Sequence, residues 1–210
     1  MLTYLTFGHN LNQKVKQLPP LLTYLTFEYY FNQEVNMLPL SITHLTFECN
    51  FNQEITHFPS LITHLTFGVN FNHKVKLPKF ITHLTFGRYF NQTNIYLPLT
   101  IKYLKLNCNN SHIMAQLLSN IEVLEILKVL EVLEVLEVLK LDELFDLELN
   151  NLQTLIKKII FNKMSDYNKE LNCLPKFVKS IQLPYSYDKK IINLPLELKI
   201  IICEHNYKYI

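Results

Sequence analysis

Over the first hundred residues, apolar positions recur with a period of about twenty, and in each period three fall at i, i+3 and i+5. Leu2-Thr3-Tyr4-Leu5-Thr6-Phe7 returns as Leu22–Phe27, Ile42–Phe47, Ile62–Phe67 and Ile81–Phe86, at steps of 20, 20, 20 and 19 residues. A weaker copy stands at Ile101–Leu106, and degenerate ones at Ile156–Phe161, Val178–Leu183 and Leu198–Cys203. Side chains alternate along a strand, so this pattern predicts a short strand whose last two apolar residues face inward. Leu5 and Phe7, Leu25 and Phe27, and their successors form the predicted core.

The second half of each period repeats as well. Asn12-Gln13, Phe31-Asn32-Gln33, Phe51-Asn52-Gln53, Phe71-Asn72-His73 and Phe90-Asn91-Gln92 share one column. A β-branched residue follows (Val15, Val35, Ile55, Val75, Ile95), then an apolar-Pro pair ending at Pro19, Pro39, Pro59, Pro78 and Pro98. The tail continues the Pro column at Pro175 and Pro195. Pro fixes φ and delays the next strand, while an Asn amide can hydrogen-bond neighbouring backbone and close the turn. The Phe column (Phe31, Phe51, Phe71, Phe90) reads as a core spine. One unit of this length cannot bury its apolar face, but stacked neighbours make that face continuous. The expectation is a solenoid of parallel strands about 4.8 Å apart.

The motif Leu-Thr-x-Leu-Thr-Phe-Gly-x-x-Phe-Asn-Gln-x-Val/Ile followed by Leu-Pro resembles the FNIP repeat, a short relative of the leucine-rich repeat. Five good copies cover residues 2–100, and looser ones residues 155–210. The resemblance implies a curved, leucine-rich-repeat-like parallel β-solenoid, and the segment that interrupts it makes the expected fold class mainly β with one helical insert. In many relatives such repeats follow an F-box, which implies recruitment of substrates to a ubiquitin ligase. Here the first repeat begins at residue 2, so the expectation is a chain without that box.

Residues 121–141 break the pattern with a Glu-Val-Leu triplet repeat. On a helix a period of three makes the charged position drift, and no straight apolar face results. Leu, Glu and Lys still favour helix, and Asn110-Ser111 can cap one, so a helix is expected over roughly 112–140. A competing reading makes strands of Leu136–Leu141 and Leu144–Leu149, which also match the apolar spacing. The implied organisation is repeats over 1–110, an acidic segment over 111–150 and degenerate repeats over 151–210.

Net charge is +2, yet residues 122–148 hold nine acidic side chains against two Lys. The compensating positive charge is scattered, with no basic face of the kind nucleic acid requires, so no nucleic-acid partner is expected. The chain has three Gly and nine Pro. Gly8, Gly68 and Gly87 each stand alone, which excludes phosphate-cradling and dinucleotide loops. All three occupy the position after the strand Phe, where Glu28 and Glu48 also serve, so the backbone there is not expected to require Gly. Cys49, Cys108, Cys173 and Cys203 are isolated, the start has no secretory pattern, and the Val/Leu-rich stretch is too charged to cross a bilayer. No membrane association is expected, and the expected location is intracellular, in the cytoplasm. There is no G-x-S-x-G, no H-E-x-x-H and no Cys with a partner base, so neither enzymatic activity nor a cofactor is expected.

Between the inward positions lie exposed columns. One reads Tyr4, Tyr24, His44, His64, His83, Tyr103, and the next includes Thr26, Thr46, Thr66 and Thr85. In leucine-rich solenoids the strand face is where partners dock, and aromatic area beside adaptable hydroxyls suits a protein interface. Three neighbouring imidazoles also raise metal binding or a pH switch, but flat rings stacking across strands are the plainer reading, and no metal site is expected. The leading expectation is an intracellular scaffold for protein–protein interaction. The alternatives are the substrate-recruiting repeat half of an F-box-type adaptor, or a decaying paralogue without a dedicated function. The first strand has no predicted cover, which raises self-association through that edge.

Overall fold

The computed structural model describes residues 1–119, 137–143, 145–149, 152, 156–203 and 207. The described chain forms ten short strands and one helix, divided between two compact units, Met1–Ile101 and Lys102–Ile210.

The first unit holds β1 (Tyr4–Phe7), β2 (Tyr24–Phe27), β3 (His44–Phe47), β4 (His64–Thr66) and β5 (His83–Phe86). Each strand pairs in parallel with its successor, and the register places equivalent residues side by side: Leu5, Leu25, Leu45, Leu65 and Leu84 form one row. The 19-residue step into β5 does not disturb that register. Leu25, Leu45, Leu65 and Leu84 are at most 1% exposed, as are Phe27, Phe47, Phe67 and Phe86. The Phe spine completes the core: Phe31, Phe51, Phe71 and Phe90 follow one another at ring separations of 6.1 Å. Each also stacks on the strand Phe of its own repeat, as Phe51 does on Phe47 at 3.9 Å. Burying one such ring is worth about 1.5–3 kcal/mol.

Turns close as the Asn and Pro columns require. The carbonyls of Pro19, Pro39, Pro59, Pro78 and Pro98 each accept from the amide three residues on, at 3.2–3.3 Å. Asn12 Oδ1 accepts from the Asn32 amide at 2.9 Å and from Gln33 Nε2 at 3.0 Å. The same amide contact links Asn32 to Asn52, Asn52 to Asn72 and Asn72 to Asn91, so the ladder runs through all five repeats.

The glycine expectation is overturned at two positions. A Cβ built on Gly68 would lie 1.9 Å from the Glu48 carbonyl oxygen, and one on Gly87 1.7 Å from that of Gly68. Gly8 has nothing within 4 Å. The requirement is steric, since no glycine has positive φ. In the fourth and fifth repeats the backbone approaches the carbonyl below it more closely than any side chain permits.

The second unit holds β6 (Tyr103–Leu106), α1 (Ser111–Ser119), β7 (Val138–Leu141), β8 (Lys158–Phe161), β9 (Ser180–Gln182) and β10 (Ile200–Ile202). Its strands also pair in parallel in chain order. Asn110 Oδ1 caps α1, accepting from the amides of His112 at 3.0 Å and Ile113 at 3.1 Å. The expected helix over 112–140 is therefore corrected. It is helical from Ser111 to Ser119, residues 120–136 lie outside the described residues, and residues 138–141 form β7. Local propensity favoured helix there, but Leu139 and Leu141 are buried at 0% and 2% in register with Leu104 and Leu106, and tertiary burial wins. The competing strand at 144–149 does not form over the described residues 145–149, although Phe145 and Leu149 are buried.

Candidate functional site

The residue just before each of β1 to β4 is a Thr whose carbonyl accepts two amides from the next repeat. Thr3 O accepts from Thr23 N at 2.9 Å and Tyr24 N at 3.0 Å, and the pattern recurs at Thr23, Thr43 and Thr63. The Thr hydroxyl repeats the interaction: Thr43, Thr63 and Thr82 Oγ1 donate to the carbonyls of Thr23, Thr43 and Thr63 at 3.2–3.3 Å. The same hydroxyls lie 2.9 Å from Nδ1 of His44, His64 and His83. The contact between Oγ1 and Nδ1 ties each imidazole to the Thr before it and holds the ring upright, whichever of the two groups donates.

The rings so held form one ladder. Tyr4 and Tyr24 stack at 4.2 Å, Tyr24 and His44 at 4.0 Å, and His44–His64 and His64–His83 each at 4.0 Å. Tyr4 is exposed, whereas Tyr24, His44, His64 and His83 are half-buried by their neighbours. Thr26, Thr46, Thr66 and Thr85 are in mutual register beside the rings and half-buried. The structure thus brings nine of the ten expected face residues together within one unit. Tyr103 belongs to the second unit, in β6, where the Lys140 ammonium lies 5.2 Å from its ring centroid.

His64, at the centre of the imidazole run, is neutral near pH 7. Burial, reinforced by repulsion from His44 and His83, holds the His64 pKa down at about 4. His44 is lowered for the same reasons, burial first and the charge of His83 second. Stacked imidazoles direct their ring nitrogens along parallel lines, so they do not converge on one ion. Among the described residues no group of three His, Cys, Asp or Glu is placed to hold a metal. The four cysteines are unpaired, and burial pushes the Cys108 thiol up to about 12, far from a reactive thiolate. Among the described residues no helix is long and apolar enough to cross a membrane.

Two features escape a reading of the columns as strand face and core. The Thr3, Thr23, Thr43, Thr63, Thr82 column is the positioning element of the ladder. Its signal was present, since Thr stands at this place in all five repeats. The second is an apolar edge along the Pro turns, where the residue type changes from repeat to repeat and no column announces itself.

Parallel strands in unbroken register, a buried Leu/Phe core and a side-chain ladder closing each turn define a leucine-rich-repeat-like β-solenoid. More narrowly, residues 12–109 match the family model described as FNIP Repeat, at 12–50, 31–70 and 71–109. Among solved structures the chain is similar to CroV588, described as a novel circular LRR protein, with a TM-score of 0.68 and 30% identity. The likeness covers 98% of this chain and 34% of that one, so the chain spans about a third of that protein's length. Among curated proteins none matches the chain significantly.

Proposed function

We propose that the chain is a non-catalytic scaffold that binds a protein partner through the strand face of the Met1–Ile101 unit. The observation that carries this reading is the ladder of five stacked rings flanked by a row of Thr hydroxyls. Rings already ordered by stacking and by Thr–His hydrogen bonds lose little rotamer freedom on contact, so their apolar area is available to a partner at low entropic cost. The hydroxyls supply adaptable hydrogen bonds, and a neutral His64 at the centre of the run keeps desolvation there cheap. A reducing intracellular compartment, the cytoplasm, suits four unpaired thiols. The test is quantitative affinity capture with the full chain and with His44, His64 and His83 replaced together by Ala. Partners should drop by about tenfold from the variant. Equal recovery would overturn the reading.

A second reading concerns β1. Among the described residues it pairs with β2 alone, and Leu5 and Phe7 stay half-exposed where Leu25 and Phe27 are at most 1% exposed. Its outer edge therefore has the shape that accepts one more parallel strand, and a second copy of the chain would supply it. Light scattering should then give a mass above the monomer that falls when Thr6 is replaced by Pro. A monomer at all concentrations would refute it.

A further inference from the structure

We propose that the proline-turn edge of the Met1–Ile101 unit is a separate docking surface, and that its ligand is an acidic amphipathic segment of a partner protein. The fold needs the turn Pro and the buried residues after it, such as Ile42, Ile62 and Ile81, all 0% exposed. It does not need the large apolar residues around them. Met37, Leu40 and Tyr96 are 82%, 75% and 86% exposed, and Leu61, Phe80 and Leu99 are exposed as well. The same three columns accept Gln17, Ser60, Ser41 and Thr100 in other repeats, so polar residues fit there. Ser41 and Thr100 hydroxyls even bond back to the preceding turn, at 2.7 Å to the carbonyls of Leu22 and Ile81. Apolar side chains at these places are thus unexplained by the solenoid itself.

Register stacks these turns at about 4.8 Å, so five of them carry an apolar stripe about 19 Å long. Between the first two turns the stripe deepens into an open groove of about 710 Å³, lined chiefly by Leu18, Pro20, Met37, Leu38 and Leu40, with Lys16 at its side. Charge along the edge has one sign. Residues 16–21, 36–41, 56–61, 76–80 and 96–100 contain Lys16, Lys76 and Lys79 and no Asp or Glu. The unit's four carboxylates, Glu28, Glu34, Glu48 and Glu54, belong to other stretches of the repeat. Lys79 lies 5.6 Å from the Phe80 ring centroid, so cation and apolar surface are interleaved rather than separated. The complement of such an edge carries apolar side chains for the groove and carboxylates for the lysines. A groove lined by several apolar side chains, with only three cations along the edge, favours a peptide segment over a flat anionic bilayer.

A random-peptide phage library panned against the full chain tests this. Enriched peptides should combine Leu, Ile, Met or Phe with a net negative charge. By fluorescence anisotropy their affinity should fall about tenfold or more with Met37→Ser plus Leu40→Ser, and likewise with Lys16→Glu plus Lys79→Glu. It should be unchanged when His44, His64 and His83 are replaced by Ala, which separates this surface from the strand face. All substituted turn residues are exposed, and circular dichroism checks that the variants stay folded. Enrichment without acidic residues, affinity insensitive to the turn substitutions, or affinity lost only with the His variant would each overturn the proposal. So would failure to enrich any peptide, or Lys16- and Lys79-dependent binding to phosphatidylserine–phosphatidylcholine vesicles in its place.

Discussion

Acidification should destabilise the first unit through its imidazole ladder, in a window set by His64. An unfolded His titrates near 6.5, whereas folded His64 resists protonation down to about 4. Between those values the unfolded chain binds a proton that the folded chain refuses, so stability rises with pH there and falls as pH drops from about 6.5 toward 4. Below that the folded form is protonated too and this loss is complete. The gap would correspond to about 3.4 kcal/mol for a sequestered group, at 1.36 kcal/mol per pH unit. The outer edge of the ring meets water, however, and screening reduces the expected loss to about 1–2 kcal/mol. His44 adds to it in the same direction. The groups facing His64 are His44 and His83, each at 4.0 Å, and the Thr63 hydroxyl on Nδ1; none is an anion that would favour the cation. His64→Tyr is the informative control, because Tyr24 already stacks in this column against both Tyr4 and His44. Urea unfolding between pH 7 and 4.5 should show a shallower pH dependence in that variant by about 1–2 kcal/mol. Titration of the imidazole Cε1 proton by NMR reads His64 directly. A midpoint near 6.5, or equal pH dependence in both proteins, would refute the argument.

Other consequences follow from the same packing. Phe51→Ala removes a ring that is 1% exposed and touches Phe47, Phe31 and Phe71, so it should cost about 3–5 kcal/mol in urea unfolding, and Phe7→Ala at half-exposed β1 clearly less. Gly68→Ala forces a Cβ into the Glu48 carbonyl and should destabilise by about 1–3 kcal/mol, whereas Gly8→Ala, with open space around it, should change the melting temperature little. Asn52→Ala leaves the Asn72 amide without its acceptor and should cost about 0.5–1.5 kcal/mol by the same measure. With a thiol-reactive chromophore the exposed Cys173 should react at once in the native chain, and buried Cys108 only on unfolding.

What could be read from the residues alone was whatever stands in a column. Leu5-type and Phe31-type positions recur with one chemistry, and a residue type repeated at a fixed period has one environment repeated at a fixed spacing. The Tyr/His ladder was legible for that reason, down to its stacking. The extent of α1 was not. Residues 138–141 are good helix formers taken into a strand because Tyr103–Leu106 offers a parallel partner with inward Leu104 and Leu106, and that partner is remote in sequence. Nor was the role of Gly68 and Gly87. Seeing Glu28 and Glu48 in the same column suggests a permissive backbone, but columns share residue positions and not every interatomic distance. At Gly68 the backbone has closed onto the Glu48 carbonyl, leaving a Cβ only 1.9 Å from its oxygen, and a residue column carries no record of that approach.

The two faces of the first unit therefore differ in how they can change. On the strand face each imidazole is braced by the ring before it and by the hydroxyl of the preceding Thr, so an altered residue disturbs its neighbours as well as itself. Chemistry there is confined to flat rings that stack, and Tyr and His alternate within that limit. At the Pro turns the backbone closes its own hydrogen bond, from the Ile42 amide to the Pro39 carbonyl for example, and the large apolar side chains outside it, Met37, Leu40 and Phe80, stay exposed. Residues at Met37, Leu40 and Phe80 are accordingly free to answer to something other than the fold. Exposed apolar side chains at unconstrained positions cost solubility without adding packing, and the docking surface proposed above would give them a role outside the fold. A regular ladder supplies the scaffold and a uniform face; the individuality of this chain lies along the edge where the repeats disagree.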